Sequence, residues 1–365
     1  MALSRAAGAD PLLVQAGGGN ASVKTADGRD LLVKASGCRL AELDATRGHV
    51  SLALGALLEV VHDPGLAALG GQAQQQQSAA RMAALARGAG RPSLETGFHA
   101  LLGRVVLHTH PVHVNAVTCR VDGPALAREV LAGIDHAWVP YAPPGHALAL
   151  EVARVVARAP ARVLLLESHG LIVSGATVDE VLALTRQVDG RCRARFDVQA
   201  QGRAPDRATG ARLLAAIGDT DAAGRRLTAA LLDDELLTAA ATDLRGGPVC
   251  PDDVVYCGAT PLALTPGELT DLDAAAATVR AHLGRATAPK AIVTAPGVGV
   301  VGVAPDPAAL EPFAAQLRAH AAIVVRVKAA GGRLRRLDAA QVAFIDGMEG
   351  EAYRRRSLAA EGGTC

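Results

Sequence analysis

Two histidines separated by one residue end the run Val105-Val106-Leu107-His108-Thr109-His110, whose apolar, β-branched start predicts a strand. Side chains at i and i+2 of a strand leave the same face, so the two imidazoles point together. Neutral imidazole binds Zn²⁺ at about 2.0–2.1 Å, and three protein ligands with one position left open make a catalytic rather than a structural site. His169 is a third candidate, because it follows a second apolar run, 162–167, and precedes Gly170, which permits close backbone approach. If the two runs are adjacent strands, their ends converge. An isolated H-x-H is more often a hydrogen-bonded pair than a metal site. His99, His113, His136 and His146 crowd the same region, so spacing alone leaves the ligand set open.

The elements that must position these residues alternate between helix and strand. Gly17-Gly18-Gly19-Asn20 opens a turn, and 21–24 and 31–34 read as a hairpin joined at Asp27-Gly28. A helix-prone Ala/Gln stretch from Pro64 to Pro92 breaks near Gly70-Gly71. A helix over 94–102 then precedes the strand 105–110, and a helix over 147–158 precedes the strand 162–167. After a helix from Thr177 to about Gln199, turn residues over 201–209 mark a boundary. The expected organisation is a metal-binding α/β domain over 1–200, a helical linker over 201–245 and a smaller α/β domain over 246–365.

Two features of the later segment bear on function. LLLESHGLIVSGATVDEVLAL is echoed by AIVTAPGVGVVGVAPDPAALEP at an offset of 127 residues, each reading strand, Gly turn, strand, turn, helix. Pro296 stands where His169 stands, which suggests a degenerate repeat without a metal site. Gly297 to Gly302 satisfies G-x-G-x-x-G, but Pro305 and Pro307 delay the following helix and no acidic residue sits where a ribose contact belongs. We read those glycines as structural.

Composition narrows the partners. Thirty-seven Lys and Arg against 36 Asp and Glu leave no basic field for nucleic acid or anionic lipid, and three Tyr, four Phe and one Trp offer little for base stacking. Six scattered cysteines without a C-x-x-C pair fit a reducing cytoplasm, and the absence of an apolar run of membrane length argues against a span. A small-molecule substrate is the expected partner, with no nucleic acid and no membrane.

The ordered blocks QAGGGNASVK, VKASG, RPSLETGFHALL, HTHPVHVNAV, VPYAPPG and ESHGLIVSG resemble the class II aldolase/adducin family, closest to its long rhamnulose-phosphate-aldolase-like members. The resemblance covers the whole first domain and implies a three-layer α/β/α fold around a mixed sheet. It further implies His108, His110 and His169 as ligands of Zn²⁺ (or Mn²⁺ or Co²⁺) and Glu95 as the acid/base. Asn20, Ser36, Gly37 and Ser93 match the family's phosphate pocket, to which Lys24 or Lys34 could add charge. Leu94 stands where the small aldolases carry a second serine. Tyr141 and His136 lie in the stretches where a proton donor is sought, and neither is assigned.

The chemistry that follows is a metal-dependent lyase, reversible retro-aldol cleavage of a ketose or related hydroxy-carbonyl compound, often phosphorylated, through a metal-stabilised enolate. Epimerisation, dehydration and decarboxylation share such a site, and adducin-like members act only as interaction domains. A carboxylate beside the metal moves the proton if burial raises its pKa toward working pH. The resemblance also implies a homo-oligomer, a tetramer with sites near subunit contacts.

Overall fold

The computed structural model describes residues 1–196, 204–232, 234–286, 288–295 and 297–349. The chain divides into two compact units, one built on residues 1–195 and the other on residues 196–346.

Among the described residues, the first unit carries a mixed sheet of β1 (Asn20–Lys24), β2 (Asp30–Lys34), β3 (His49–Ala53), β4 (Val105–Thr109), β5 (His136–Val139), β6 (Val163–Leu166) and β7 (Gly170–Gly175). Their order is β3-β2-β1-β4-β7-β6-β5, and only β5 and β6 pair in parallel. The expected hairpin is β1–β2, closed by Thr25 N–H on the Asp30 carbonyl and by Asp27 accepting from Arg29 N–H. The β4 strand is buried along its whole length, as strands covered on both faces are. Val106, Leu164 and Ile172 pack on Phe98, Leu148 and Val152 of the helices Thr96–Leu101 and His146–Arg158. The opposite face of β4 and β7 is covered by the helix Val178–Arg195. Helices therefore sandwich the sheet in three layers.

One expectation about the sheet changes. The strands that precede His110 and His169 are not neighbours, since β7 lies between β4 and β6. The chain turns back directly after His169 and pairs β7 with β4, so it is the turn between β6 and β7 that reaches the end of β4.

The second unit holds β8 (Thr228–Leu232), β9 (Leu262–Ala263), β10 (Ala291–Ala295) and β11 (Gly299–Ala304) in the order β8-β11-β10-β9. The helices Arg207–Ile217 and Leu272–Gly284 pack together over one core, with Leu213, Ile217, Val279 and Leu283 against Val293, Val301 and Val303. Residues 201–245 are thus not a helical linker: from Arg207 onward they supply two helices and an edge strand to this unit. The strand β8, Thr228-Ala229-Ala230-Leu231-Leu232, is Ala/Leu-rich and merges by composition into the helix Glu235–Leu244 that follows it. Residues 197–203 and 350–365, which take in the last positions of the expected first domain, the start of the expected linker and the end of the expected second domain, lie outside the described residues.

The pairing of the two sheets corresponds ladder by ladder. β4 pairs β7 antiparallel, β7 pairs β6 antiparallel and β6 pairs β5 in parallel; β8, β11, β10 and β9 repeat those senses in the same order. Leu166 opposes Gly170 across one three-residue turn, and Ala295 opposes Gly299 across the other. The middle residues, Ser168 and Gly297, have φ of 51° and 75°. This register sets the correspondence two residues further along than the sequence echo does, so Val298, not Pro296, stands where His169 stands. Pro296 itself lies outside the described residues.

Candidate metal centre

The end of β4 meets the starts of β1 and β7, with Asn20 opposite His108 and Leu171 opposite Thr109. His108 is the fourth residue of β4, buried, and its Nδ1 lies 3.0 Å from the Leu171 carbonyl oxygen. A carbonyl only accepts, so Nδ1 carries the proton and a neutral His108 presents a bare Nε2. His110 lies just beyond the strand, where its N–H donates to the Leu13 carbonyl at 3.0 Å and Pro111 begins the next helix.

His169 occupies the last position of the β6–β7 turn. Ser168 holds the left-handed conformation, sparsely populated by non-glycine residues, that aims the turn at β4. Asn115 Nδ2 donates to the His169 carbonyl at 3.2 Å, and Thr118 Oγ1 donates to Asn115 Oδ1 at 2.9 Å, so the helix Val112–Thr118 clamps the turn. Gly170 makes the approach possible, because a Cβ there would lie 2.4 Å from the Thr109 carbonyl oxygen and 3.0 Å from the His110 ring.

The three imidazoles each offer a nitrogen within 4.8 Å of the others, the group of this kind among the described residues. His110 Nε2 lies 3.0 Å from His108 Nε2, and ring centroids are separated by 4.8, 5.0 and 5.1 Å. Tetrahedral zinc at the bond length given above separates its nitrogen ligands by about 3.3 Å, so the donor set suits a divalent cation.

Glu95 precedes the helix Thr96–Leu101 and is buried rather than an exposed first-turn acid. Its Oε2 lies 3.4 Å from His108 Nε2 and its Oε1 3.3 Å from His169 Nε2. Burial by itself would raise its pKa, as the sequence reading expected. The imidazoles of His108, His169 and His110, with the Asn20 amide, outweigh burial and bring it from 4.5 down to about 2.

The other histidines have separate partners. His113 Nδ1 meets Asp189 at 3.2 Å, His136 Nδ1 meets the Ile134 carbonyl at 2.7 Å, and His146 Nδ1 meets Ser78 Oγ at 3.1 Å. His99 lies behind Glu95, bonded to Ser22 and Asn20. Asn20 and Ser93 join the site directly: Asn20 Nδ2 donates to Glu95 Oε2 at 2.7 Å, and Ser93 Oγ accepts from Glu95 N–H at 3.3 Å. Ser36 borders a cavity of about 80 Å³ together with Arg91, Pro92 and Leu94, and Gly37 follows it with φ of 87°. Lys24 is occupied elsewhere, its ammonium capping the carbonyls of Ala100 and Leu102, while Lys34 Nζ lies 3.4 Å from the Gly17 carbonyl at the glycine-rich turn. Tyr141 N–H donates to Glu167 at 2.8 Å.

Asn115, Thr118, Ser168 and Ser22 were missed by reasoning from the sequence, and His99 was weighed there only as an alternative ligand, not as a partner of Asn20. For two of them a signal existed: Ser22 is i+2 from Asn20 on one strand, and His99 is i+4 from Glu95 at one helical turn.

The model of the class II aldolase and adducin N-terminal domain matches residues 2–196, more than half of the chain. The chain belongs to that family. Its class II aldolase domain is the first unit, and the second unit adds further α/β elements. Uncharacterized oxidoreductase YuxG of Bacillus subtilis (strain 168) is 40% identical over 89 residues, which is 24% of this chain and 13% of that protein's length. Among solved structures, the N-terminal class II aldolase domain of a conserved protein from Thermoplasma acidophilum is 27% identical, with 53% of this chain and 89% of that one covered at a TM-score of 0.44. L-fuculose-1-phosphate aldolase from Thermus thermophilus is 21% identical, with 53% and 90% covered and a TM-score of 0.34. Among the described residues no helix is long and apolar enough to cross a membrane.

Proposed function

We propose that this chain is a metal-dependent lyase that cleaves a ketose or related hydroxy-carbonyl compound, phosphorylated in the preferred case, by a reversible retro-aldol reaction. The observation that carries the reading is the meeting of three imidazole nitrogens with one buried carboxylate, 3.3 and 3.4 Å from two of them. His108, His110 and His169 would hold Zn²⁺, with Mn²⁺ or Co²⁺ as alternatives of the same ligand preference. A bound divalent cation supplies Lewis acidity, favouring the negative charge that develops on a carbonyl oxygen when the neighbouring carbon–carbon bond breaks.

The chain's own residues do the remainder. Glu95 carries the proton between carbon and solvent, from a position 3.3 and 3.4 Å from two of the imidazoles. Asn20 and Ser93 orient Glu95, and with Ser36 and Gly37 they are our candidates for holding the substrate's anionic end. The second unit is, in this reading, a degenerate copy of the β4–β7 half of the first that has no metal site. A cytoplasmic homo-tetramer working on a small molecule completes the proposal.

Chelation followed by a screen of phosphorylated and free ketoses tests it, with turnover expected to vanish and to return on adding Zn²⁺, Mn²⁺ or Co²⁺. Glu95→Gln should keep its metal while turnover falls by roughly 10²-fold or more. Turnover in Glu95→Gln equal to that of the unmodified protein removes Glu95 from the mechanism.

A further inference from the structure

We infer that Ser22 and His99 are positioning residues that fix the Glu95 carboxylate through Asn20. The inference rests on the reading of Glu95 as the proton carrier and adds what orients it. Four buried side chains form one line: Ser22 Oγ lies 2.7 Å from His99 Nδ1, His99 Nε2 bonds Asn20 Oδ1, and Asn20 Nδ2 reaches Glu95 Oε2 at 2.7 Å. The line alternates between two elements. Ser22 and Asn20 leave the same face of β1, while Glu95 and His99 are separated by one helical turn.

The chemistry of the groups settles every proton in this line. An ionised carboxylate only accepts, so Asn20 must present its NH₂ to Glu95 and its oxygen to His99. An amide oxygen also only accepts, so His99 must carry its proton on Nε2. The ring is neutral, because burial brings its pKa from 6.5 down to about 3. Its Nδ1 is then a bare acceptor, and the Ser22 hydroxyl is the donor that meets it.

All donors point toward Glu95. Reversing any one bond would turn the Asn20 oxygen onto the carboxylate, oxygen against oxygen. The result pins Oε2 and leaves Oε1 without a hydrogen-bond partner, facing His169 Nε2. A group that only filled space between β1 and the helix Thr96–Leu101 would work equally well with either His99 tautomer; a group that orients Asn20 requires one.

The test uses the full chain labelled with ¹⁵N at histidine and ¹³C at the glutamate carboxyl, without substrate. His99→Gln assigns the His99 nitrogens and Glu95→Gln assigns the Glu95 carboxyl line. We expect His99 as the neutral Nε2–H tautomer, and an Nδ1–H tautomer overturns the inference. His99→Leu should shift the Glu95 carboxyl line and His99→Gln, which again offers an N–H to Asn20, should return it toward its original position; a line unmoved by Leu, or moved equally by both, overturns it. Ser22→Ala is the milder variant should Leu fail to fold, and it should let His99 exchange between tautomers, with averaged ¹⁵N shifts; unchanged shifts count against the line. These readouts need no turnover, so their failure overturns the positioning role, whereas unimpaired turnover in Glu95→Gln separately overturns the acid/base reading.

Discussion

Gly170 has a hydrogen where any other residue would place a carbon against the Thr109 carbonyl and the His110 and His108 rings. Because the first of those neighbours is backbone, Gly170→Ala cannot be absorbed by a side-chain rotation. It should cost about 1–3 kcal/mol of stability. By pushing the rings off the common centre it should also weaken metal binding at least tenfold in a chelator competition; unchanged affinity would mean that β7 can slide away from β4. His99 and Glu95 set the acid limit of the metal-free protein. Both have folded pKa values below their ordinary ones, about 3 against 6.5 and about 2 against 4.5, so the unfolded chain takes up protons that the folded chain refuses. The stability tied to His99 is fully present above about pH 6.5 and is lost as pH falls toward 3, and that tied to Glu95 is present above about pH 4.5 and is lost as pH falls toward 2. Urea unfolding of metal-free protein should therefore show stability falling with acid, and His99→Gln should flatten the portion between pH 6.5 and 4.5; an unchanged slope would mean that His99 is protonated when folded.

At the scale of elements, the β6–β7 turn decides whether the third imidazole arrives. Asn115 is tied to Thr118 on its own helix and holds the His169 carbonyl, so Asn115→Ala should release the turn while leaving both sheets intact. We expect metal affinity to fall on the order of 10–100-fold, the usual effect of losing a residue that orients a ligand. Titration of metal into the variant checks this, and wild-type affinity would show that Ser168 alone fixes the turn. How legible these parts were in the sequence follows from their physics. The apolar runs ending at His108-Thr109-His110 and at Glu167 read as strands because short-range pattern is what a strand records. That β7 inserts between them is a long-range pairing that neither run encodes, so the convergence at the site was anticipated from the wrong pair of strands. Glu95 was legible only through family resemblance, since nothing local distinguishes a buried carboxylate from an exposed acid at the start of a helix. The clamp by Asn115 was illegible for the same reason, being made 54 residues along the chain from the carbonyl it holds.

For the whole molecule, the two sheets raise the question of how many cations one chain binds. The ladder correspondence puts Leu231 where His108 stands, since each is fourth in its strand and pairs with the matching residue of the next, Val301 or Ile172. It puts Val298 where His169 stands, and the match for His110, residue 233, lies outside the described residues. Two of the three candidate ligands are thus replaced by aliphatic side chains that offer no lone pair, while the strand senses and the left-handed turn are kept. The second unit does hold a buried histidine, His320, but it lies on the helix Pro307–Ala329, with Asp253 at 3.4 Å, and corresponds to none of the three positions of the site. Elemental analysis of the full chain, or mass spectrometry under native conditions, should therefore find one divalent cation per chain, lost entirely in His108→Ala. A second equivalent that survives His108→Ala would place a metal in the second unit and end its reading as a copy that retained the strand pairing without the chemistry.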